Sequence, residues 1–319
     1  MAGVKRSLAV DLNGVALPAP ALIASGCAGS GRELSGLIDV HRLGGLVTRS
    51  VTLRARKGSP TPRVAESASG IVWSTGLQNP GIEVFIADEL PRLTKPGVPV
   101  IVSIAGGSME EYVRLASLLR GAPGVIALET NLSGPDEELG RGVLGSRADR
   151  AAEIVGAVAR MSTVPVFAKL PALPVDVVDI ASACVRSGAH GLTLIDAVPA
   201  VGVQASRLRP ELGGVMGWLS GPAIRPLALR AVFEVALSMP TVPIFGCGGV
   251  RTGEDAVEML LAGAWAVQVG SATMVDPAAP ISVASGVLAY LKAKGLGSPA
   301  DVRGRLRVPQ AVSTGEDVV

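Results

Sequence analysis

Aromatic side chains are scarce here, at 3% of 319 residues. A protein that stacks on exposed bases needs more of them. An excess of either sign of charge is lacking as well. The net charge is +2 and no long basic or acidic block interrupts the chain, so the electrostatic footprint of a nucleic-acid binder is missing. There are two histidines, His41 and His190, and three cysteines, Cys27, Cys184 and Cys247, all far apart. Neither zinc-ligand spacing nor a paired-cysteine pattern can be drawn from them, and no metal is expected. No apolar run reaches the ~18 residues needed to cross a bilayer. The opening stretch, MAGVKRSLAVDLNG, lacks the hydrophobic segment of a signal peptide. The expectation is a soluble cytoplasmic protein.

Apolar residues, by contrast, make up 48% of the chain. LAVDLNGVALPAP reads as a hairpin turning at Asn13-Gly14. Then come apolar β runs at 21–26, 45–51, 98–106, 125–133, 164–171, 191–197, 242–249 and 266–272. Most are continuously apolar, as strands covered on both faces should be. Helical patterns separate them, for example 148–161 and 253–264, the latter with Thr252 placed to cap it. This alternation predicts an α/β chain folded as a (β/α)8 TIM barrel, with an N-terminal β-hairpin and long active-site loops. A doubly wound sheet is the competitor, but SGCAGSG only loosely approximates its glycine fingerprint. The connections 52–80 and 198–219 are long enough to be lids or substrate-binding segments. Residues 1–295 are expected to form one domain and 296–319 a partly loose tail.

Barrel sites form where strands end, and phosphate is often held after the last two. There the chain reads GCGGVRTGED and VGSATM, so Gly248, Gly249, Gly270 and Ser271 offer backbone N–H groups to an anion. Arg49, Asn131, Lys169 and Asp196 end four other runs and converge on the same mouth. Lys169 ends an apolar run and needs a partner. It suits a Schiff-base amine or a cation against an electron-rich cofactor. In ALETNLSGPDEELGRG the chain turns at Ser133-Gly134-Pro135. This is where a base would sit, and the residue is a glycine.

The segments SVTLRARKGSPTPRVAE, STGLQNPGI, NLSGPD, VFAKLP, GLTLIDA, LSGPAIRPLAL and PIFGCGGVRTGEDAVEMLLAGAWAVQVGSA follow one another along the chain. Together they resemble the class 1 dihydroorotate dehydrogenases, subclass 1B most closely, over about residues 8 to 280. The resemblance implies a TIM barrel, a homodimer and FMN lying across its mouth. Carried over residue by residue, the cofactor contacts are Ser25, Ser50, Ser103, Asn131, Lys169 and Ile195, followed by Ser220, Gly221, Gly248, Gly249, Gly270 and Ser271. Lys169 would face the N1/O2 edge of the flavin. Ser103 stands where the family has asparagine. Subclass 1B enzymes also pair with an electron-transfer subunit carrying FAD and an iron–sulfur cluster.

The substrate side departs from the family pattern. Gly134 replaces the cysteine that serves as base, and Asp136 replaces an asparagine. Arg49 stands for a lysine, Trp73 for a substrate-binding asparagine, and Asp196-Ala197 for Asn-Thr or Asn-Ser. The substrate-binding set is then Arg49, Trp73, Thr75, Gly76, Leu77, Asn131, Gly134, Asp136, Asp196 and Ala197. Asp136, Asp196 and Arg49 are the catalytic candidates, with Glu137, Cys27 or water as other proton carriers. The implied activity is an FMN-dependent oxidoreductase acting on CH–CH groups of a small polar cyclic substrate other than dihydroorotate. A genuine dihydroorotate dehydrogenase with an unusual base, a non-catalytic flavin-binding subunit and a Schiff-base lyase are the alternatives.

Overall fold

The eight apolar runs become the eight staves of a closed parallel barrel. The computed structural model describes residues 6–30, 32–134, 143–172 and 176–307. In chain order the first strands are β1 (Val10–Asp11), β2 (Ala16–Leu17), β3 (Ala21–Ile23), β4 (Leu46–Val47), β5 (Val64–Ser67) and β6 (Gly70–Trp73). They are followed by β7 (Val100–Ile104), β8 (Val125–Asn131), β9 (Val166–Leu170), β10 (Gly191–Leu194) and β11 (Val198–Ala200). The last are β12 (Val203–Gln204), β13 (Arg209–Pro210), β14 (Gly217–Ser220), β15 (Ile244–Cys247) and β16 (Ala266–Val269). The barrel closes in the order β3, β4, β7, β8, β9, β10, β15, β16, back to β3. A doubly wound sheet is thereby excluded.

Helices cover the outside of the barrel. The helix Ala148–Met161 has the bounds its periodicity predicts. Thr252 caps the helix Gly253–Ala262 in a reciprocal box with Asp255, and Gly263 at φ 123° ends it. Among the described residues no helix is long and apolar enough to cross a membrane.

The hairpin β1–β2 turns as its sequence demands. Asn13 and Gly14 have φ of 53° and 100°, both positive as the tight two-residue turn requires. It carries Leu12, Val15 and Leu17 into one end of the barrel. There they pack with Leu22, Val47, Ile101, Ala127, Phe167 and Phe245. Phe167 and Phe245 lie 4.8 Å apart between ring centres. His190 helps anchor the hairpin, bonded to Leu12 O at 2.8 Å.

The two long connections are not plain loops. Each contributes two strands to an antiparallel sheet, ordered β11-β14-β6-β5. In it Trp73 and Trp218 face each other across the β6–β14 pair. At the C-terminus, Val302 is buried in the main core and Gly304 N–H bonds to Leu260 O at 2.9 Å. The last ten residues, expected to be loose, lie outside the described residues.

Candidate active site at the barrel mouth

Side chains alternate along a strand, so positions two apart share a face. Two residues beyond Val47, Ile101, Ala127, Phe167, Phe245 and Ala266 stand Arg49, Ser103, Glu129, Lys169, Cys247 and Gln268. One step of the pleat replaces an apolar plug with a polar layer. Above that layer is a cavity of about 250 Å³, lined from both the strand ends and the overlying sheet.

Most of the expected residues line it. The strand ends supply Ser25, Arg49, Ser50, Asn131, Lys169 and Ile195. Beyond β10 come Asp196 and Ala197, and beyond the last two strands Gly248, Gly249, Gly270 and Ser271. The overlying segments add Trp73, Thr75, Leu77, Ser220 and Gly221. Three expected residues do not line it. Ser103 is fully buried and reaches the cavity only through Ser50, whose hydroxyl is 3.0 Å away. Gly76 lies back against Ser59, where an added Cβ would come within 2.4 Å of its backbone nitrogen. Gly134 stands outside the lining, and an added Cβ there would meet nothing nearer than Gly106 O at 3.9 Å and Leu144 Cδ1 at 4.0 Å. Asp136 and Glu137 lie outside the described residues.

Several polar groups are already committed. Asn131 Nδ2 donates to Ser50 Oγ at 3.0 Å, and its Oδ1 accepts from Ser133 N–H at 2.9 Å. Ser25 Oγ donates to Thr48 O at 2.8 Å. Trp73 Nε1 donates to Ser220 Oγ at 2.8 Å, which ties the overlying sheet together across the mouth. Among the described residues, no backbone acceptor outside the strand ladders takes the N–H groups of Gly249, Gly270 and Ser271. Such a set of donors suits an anion.

Charges pair in an order the sequence leaves open. Arg49 and Asp196 do not pair with each other. Arg49 Nη2 is 3.9 Å from Glu89 Oε1, and its Nε is buried without a hydrogen-bond partner. Glu89 comes from a π-helical turn, Phe85–Glu89, a distortion often found beside functional sites. Asp196 Oδ1 accepts from Ala197 N–H at 2.9 Å and lies 3.9 Å from Lys169 Nζ.

Lys169 is 4% exposed. Burial alone would lower its pKa, but Cys247, Glu129 and Asp196 oppose that, and the result is a shift above the ordinary lysine value. Near neutral pH the two carboxylates carry this effect, because burial pushes Cys247 up to about 11 and keeps it a thiol. Burial likewise pushes Cys27 up to about 12. A lysine held as ammonium is no nucleophile, which weighs against the Schiff-base alternative. Cys27 lines the cavity as a protonated thiol.

Glu129 is the residue that sequence reasoning passed over. It sits within an apolar run and looks like a strand interior position. The available signal was parity: Ala127, Glu129 and Asn131 share one face of β8, and Asn131 is paired in register with Lys169 of β9.

Comparison with known proteins agrees with this architecture. Residues 7–291 match the family model described as Dihydroorotate dehydrogenase. The "Dihydroorotate dehydrogenase B (NAD(+)), catalytic subunit" of Geotalea daltonii is 41% identical over 304 residues, covering 95% of this chain and 99% of that protein. The protein of the same description from Desulforudis audaxviator is 44% identical, covering 92% and 95%. That of Anoxybacillus flavithermus is 43% identical, covering 85% and 86%. With the barrel, the mouth and these relatives in hand, the chain belongs to the dihydroorotate dehydrogenase family, whose members are oxidoreductases acting on CH–CH groups.

Proposed function

We propose that the chain is an FMN-dependent oxidoreductase acting on a small polar cyclic substrate other than dihydroorotate, the bound flavin supplying hydride exchange at N5 with a C–C or C=C bond. The residues at the mouth fit that cofactor. The backbone of Gly248, Gly249, Gly270 and Ser271, all lining the cavity beyond the last two strands, suits its phosphate. Lys169 offers a buried cation to an electron-rich ring. Ser25, Ser50, Asn131, Ile195, Ser220 and Gly221 complete the cradle, with Ser103 acting through Ser50.

The reading away from dihydroorotate rests on Gly134. The space a base would fill there is open, with no contact nearer than 3.9 Å for an added Cβ. Proton transfer then falls to a carboxylate, and Asp196 is the candidate that lines the cavity. Asp136 is the other. Burial and neighbours can bring a carboxylate to such work. Arg49, with its unpartnered Nε, suits an anionic or carbonyl group of the substrate. Trp73, Thr75, Leu77 and Ala197 bound the remaining space.

A second reading, a dihydroorotate dehydrogenase with an unusual base, is favoured by the 44% identity to a catalytic subunit of that name. The word "subunit" in that description also supports an electron-transfer partner, here an FAD and iron–sulfur protein. The homodimer and the cytoplasmic location are carried by family resemblance.

Purified protein should be yellow, with about one FMN and no FAD per chain. Lys169→Ala should weaken FMN binding at least ~10-fold, as expected when a charge-assisted contact is removed. A colourless protein that takes up no added FMN would overturn the cofactor assignment.

A further inference from the structure

One buried charge has no task in this scheme. Glu129 is fully buried inside the barrel. Its Oε2 accepts two hydrogen bonds, from Thr193 Oγ1 at 2.9 Å and from Gln268 Nε2 at 2.8 Å. Its Oε1 has no hydrogen-bond partner and lies 3.9 Å from Lys169 Nζ. A buried carboxylate is costly unless a cation faces it. Three strands, β8, β10 and β16, are committed to holding this one in place.

Lys169 sees the arrangement from the other side. Its Nζ is 3.9 Å from both Glu129 Oε1 and Asp196 Oδ1, beyond hydrogen-bond reach of either. Its N–H donors are left for whatever enters the cavity. The groups that face it are Glu129 on β8, Asp196 after β10, Cys27 after β3 and Cys247 on β15. The two thiols are neutral near neutral pH, so only the carboxylates balance the ammonium. Asp196 lines the cavity and its side chain is 18% exposed, whereas the Glu129 side chain is 0% exposed. A ligand can screen or displace Asp196. It cannot reach Glu129.

We infer that Glu129 is a positioning residue: clamped by Thr193 and Gln268, it holds Lys169 as an ammonium aimed into the cavity, whatever happens to Asp196. Lysine chemistry at this site is thereby set from beneath rather than by the ligand. The consequence for a flavin rests on the proposed cofactor; the state of Lys169 itself does not.

The test is the pH dependence of Lys169 acetylation by acetic anhydride in the full-length protein stripped of flavin, read by mass spectrometry. Wild-type Lys169 should label only at pH above that of the surface lysines. Glu129→Gln should bring labelling to lower pH by at least one unit, so that Lys169 reacts at least ~10-fold faster at pH 9. Asp196→Asn should shift it less. Thr193→Val keeps the carboxylate but loosens it, so it should shift labelling in the same direction and by less. This variant carries the test if Glu129→Gln does not fold. Parallel labelling curves for wild type and these Glu129-directed variants would overturn the inference, as would a larger shift in Asp196→Asn. A second arm titrates FMN. Glu129→Gln should make FMN affinity fall between pH 8 and 10, and that pH dependence should vanish in a Lys169→Met background. If the wild type takes up no FMN while Lys169 labelling shifts as stated, the cofactor reading fails and the positioning role stands.

Discussion

The two ends of the barrel are made from the same strands and have opposite chemistry. At one end Phe167, Phe245, Ile101 and Val47 close around the hairpin residues Leu12, Val15 and Leu17. Two residues further along those strands stand Lys169, Cys247, Ser103 and Arg49, at the mouth. The plug is a cluster of buried apolar side chains, with His190 at its edge against Phe167 and Leu12 O. The mouth contains Lys169 and Glu129, buried and paired at 3.9 Å, with a cavity above them. A (β/α)8 scaffold can thus change its reactive end without disturbing the end that holds it closed, because the pleat separates the two by a single step.

This division can be broken from either side. The largest effect on stability should come from the plug. Phe167→Ala removes a fully buried ring and should cost ~3–5 kcal/mol in denaturant unfolding, while the folded fraction still binds FMN. If FMN affinity of the folded fraction collapses as well, plug and mouth are not independent. At the mouth, Trp73→Asn should change ligand preference with FMN retained. Loss of FMN would make Trp73 a wall of the cofactor site instead. Trp73→Phe is the sharper probe. It keeps the ring but removes the donor to Ser220, and should cost ~0.5–1.5 kcal/mol. An unchanged melting temperature would mean that this bond does not hold the overlying sheet.

A pH dependence of stability is expected as well. Burial raises Cys27 from 9.0 to about 12 and Cys247 from 9.0 to about 11. The unfolded thiols ionise first, so stability present below pH 9 should be lost as pH rises from about 9 towards 11 to 12. Lys169, also raised, adds to the loss in the same direction. Cys247→Ala should flatten the decline. A melting temperature constant from pH 8 to 10.5 would contradict it.

The barrel was legible in the sequence because its strands are buried on both faces and read as unbroken apolar runs. Strand lengths were less so. GLVTRSV was expected as one strand, yet only Leu46–Val47 pairs regularly. Thr48 explains the break, since its hydroxyl takes the Ser103 N–H at 3.1 Å and diverts the ladder until Val51 rejoins it. The overlying sheet was read only as long loops. Its strands are only three or four residues long and β5 is largely exposed, so none reads as an apolar run of the length seen in the barrel. At the site, strand ends were identifiable by type and position. Depth was not, and Ser103 was placed one layer too high for that reason. Glu129 was missed because a charged residue inside an apolar run reveals its role only when the register of the neighbouring strands is known.

The central claim is that the mouth keeps its cofactor residues while the base for dihydroorotate is gone. Anaerobic mixing of the FMN-loaded protein with dihydroorotate, followed by flavin bleaching, tests it most directly. General-base catalysis is worth ~10² to 10⁴-fold, so wild type should bleach at least that much more slowly than a variant with the family residues restored together (Gly134→Cys, Asp136→Asn, Trp73→Asn, Asp196→Asn, Arg49→Lys). Gly134→Cys alone should recover little although the side chain has room, because residues that act as a unit are not additive. Rapid bleaching of the unmodified protein would contradict the account and make the chain a dihydroorotate dehydrogenase with a different base.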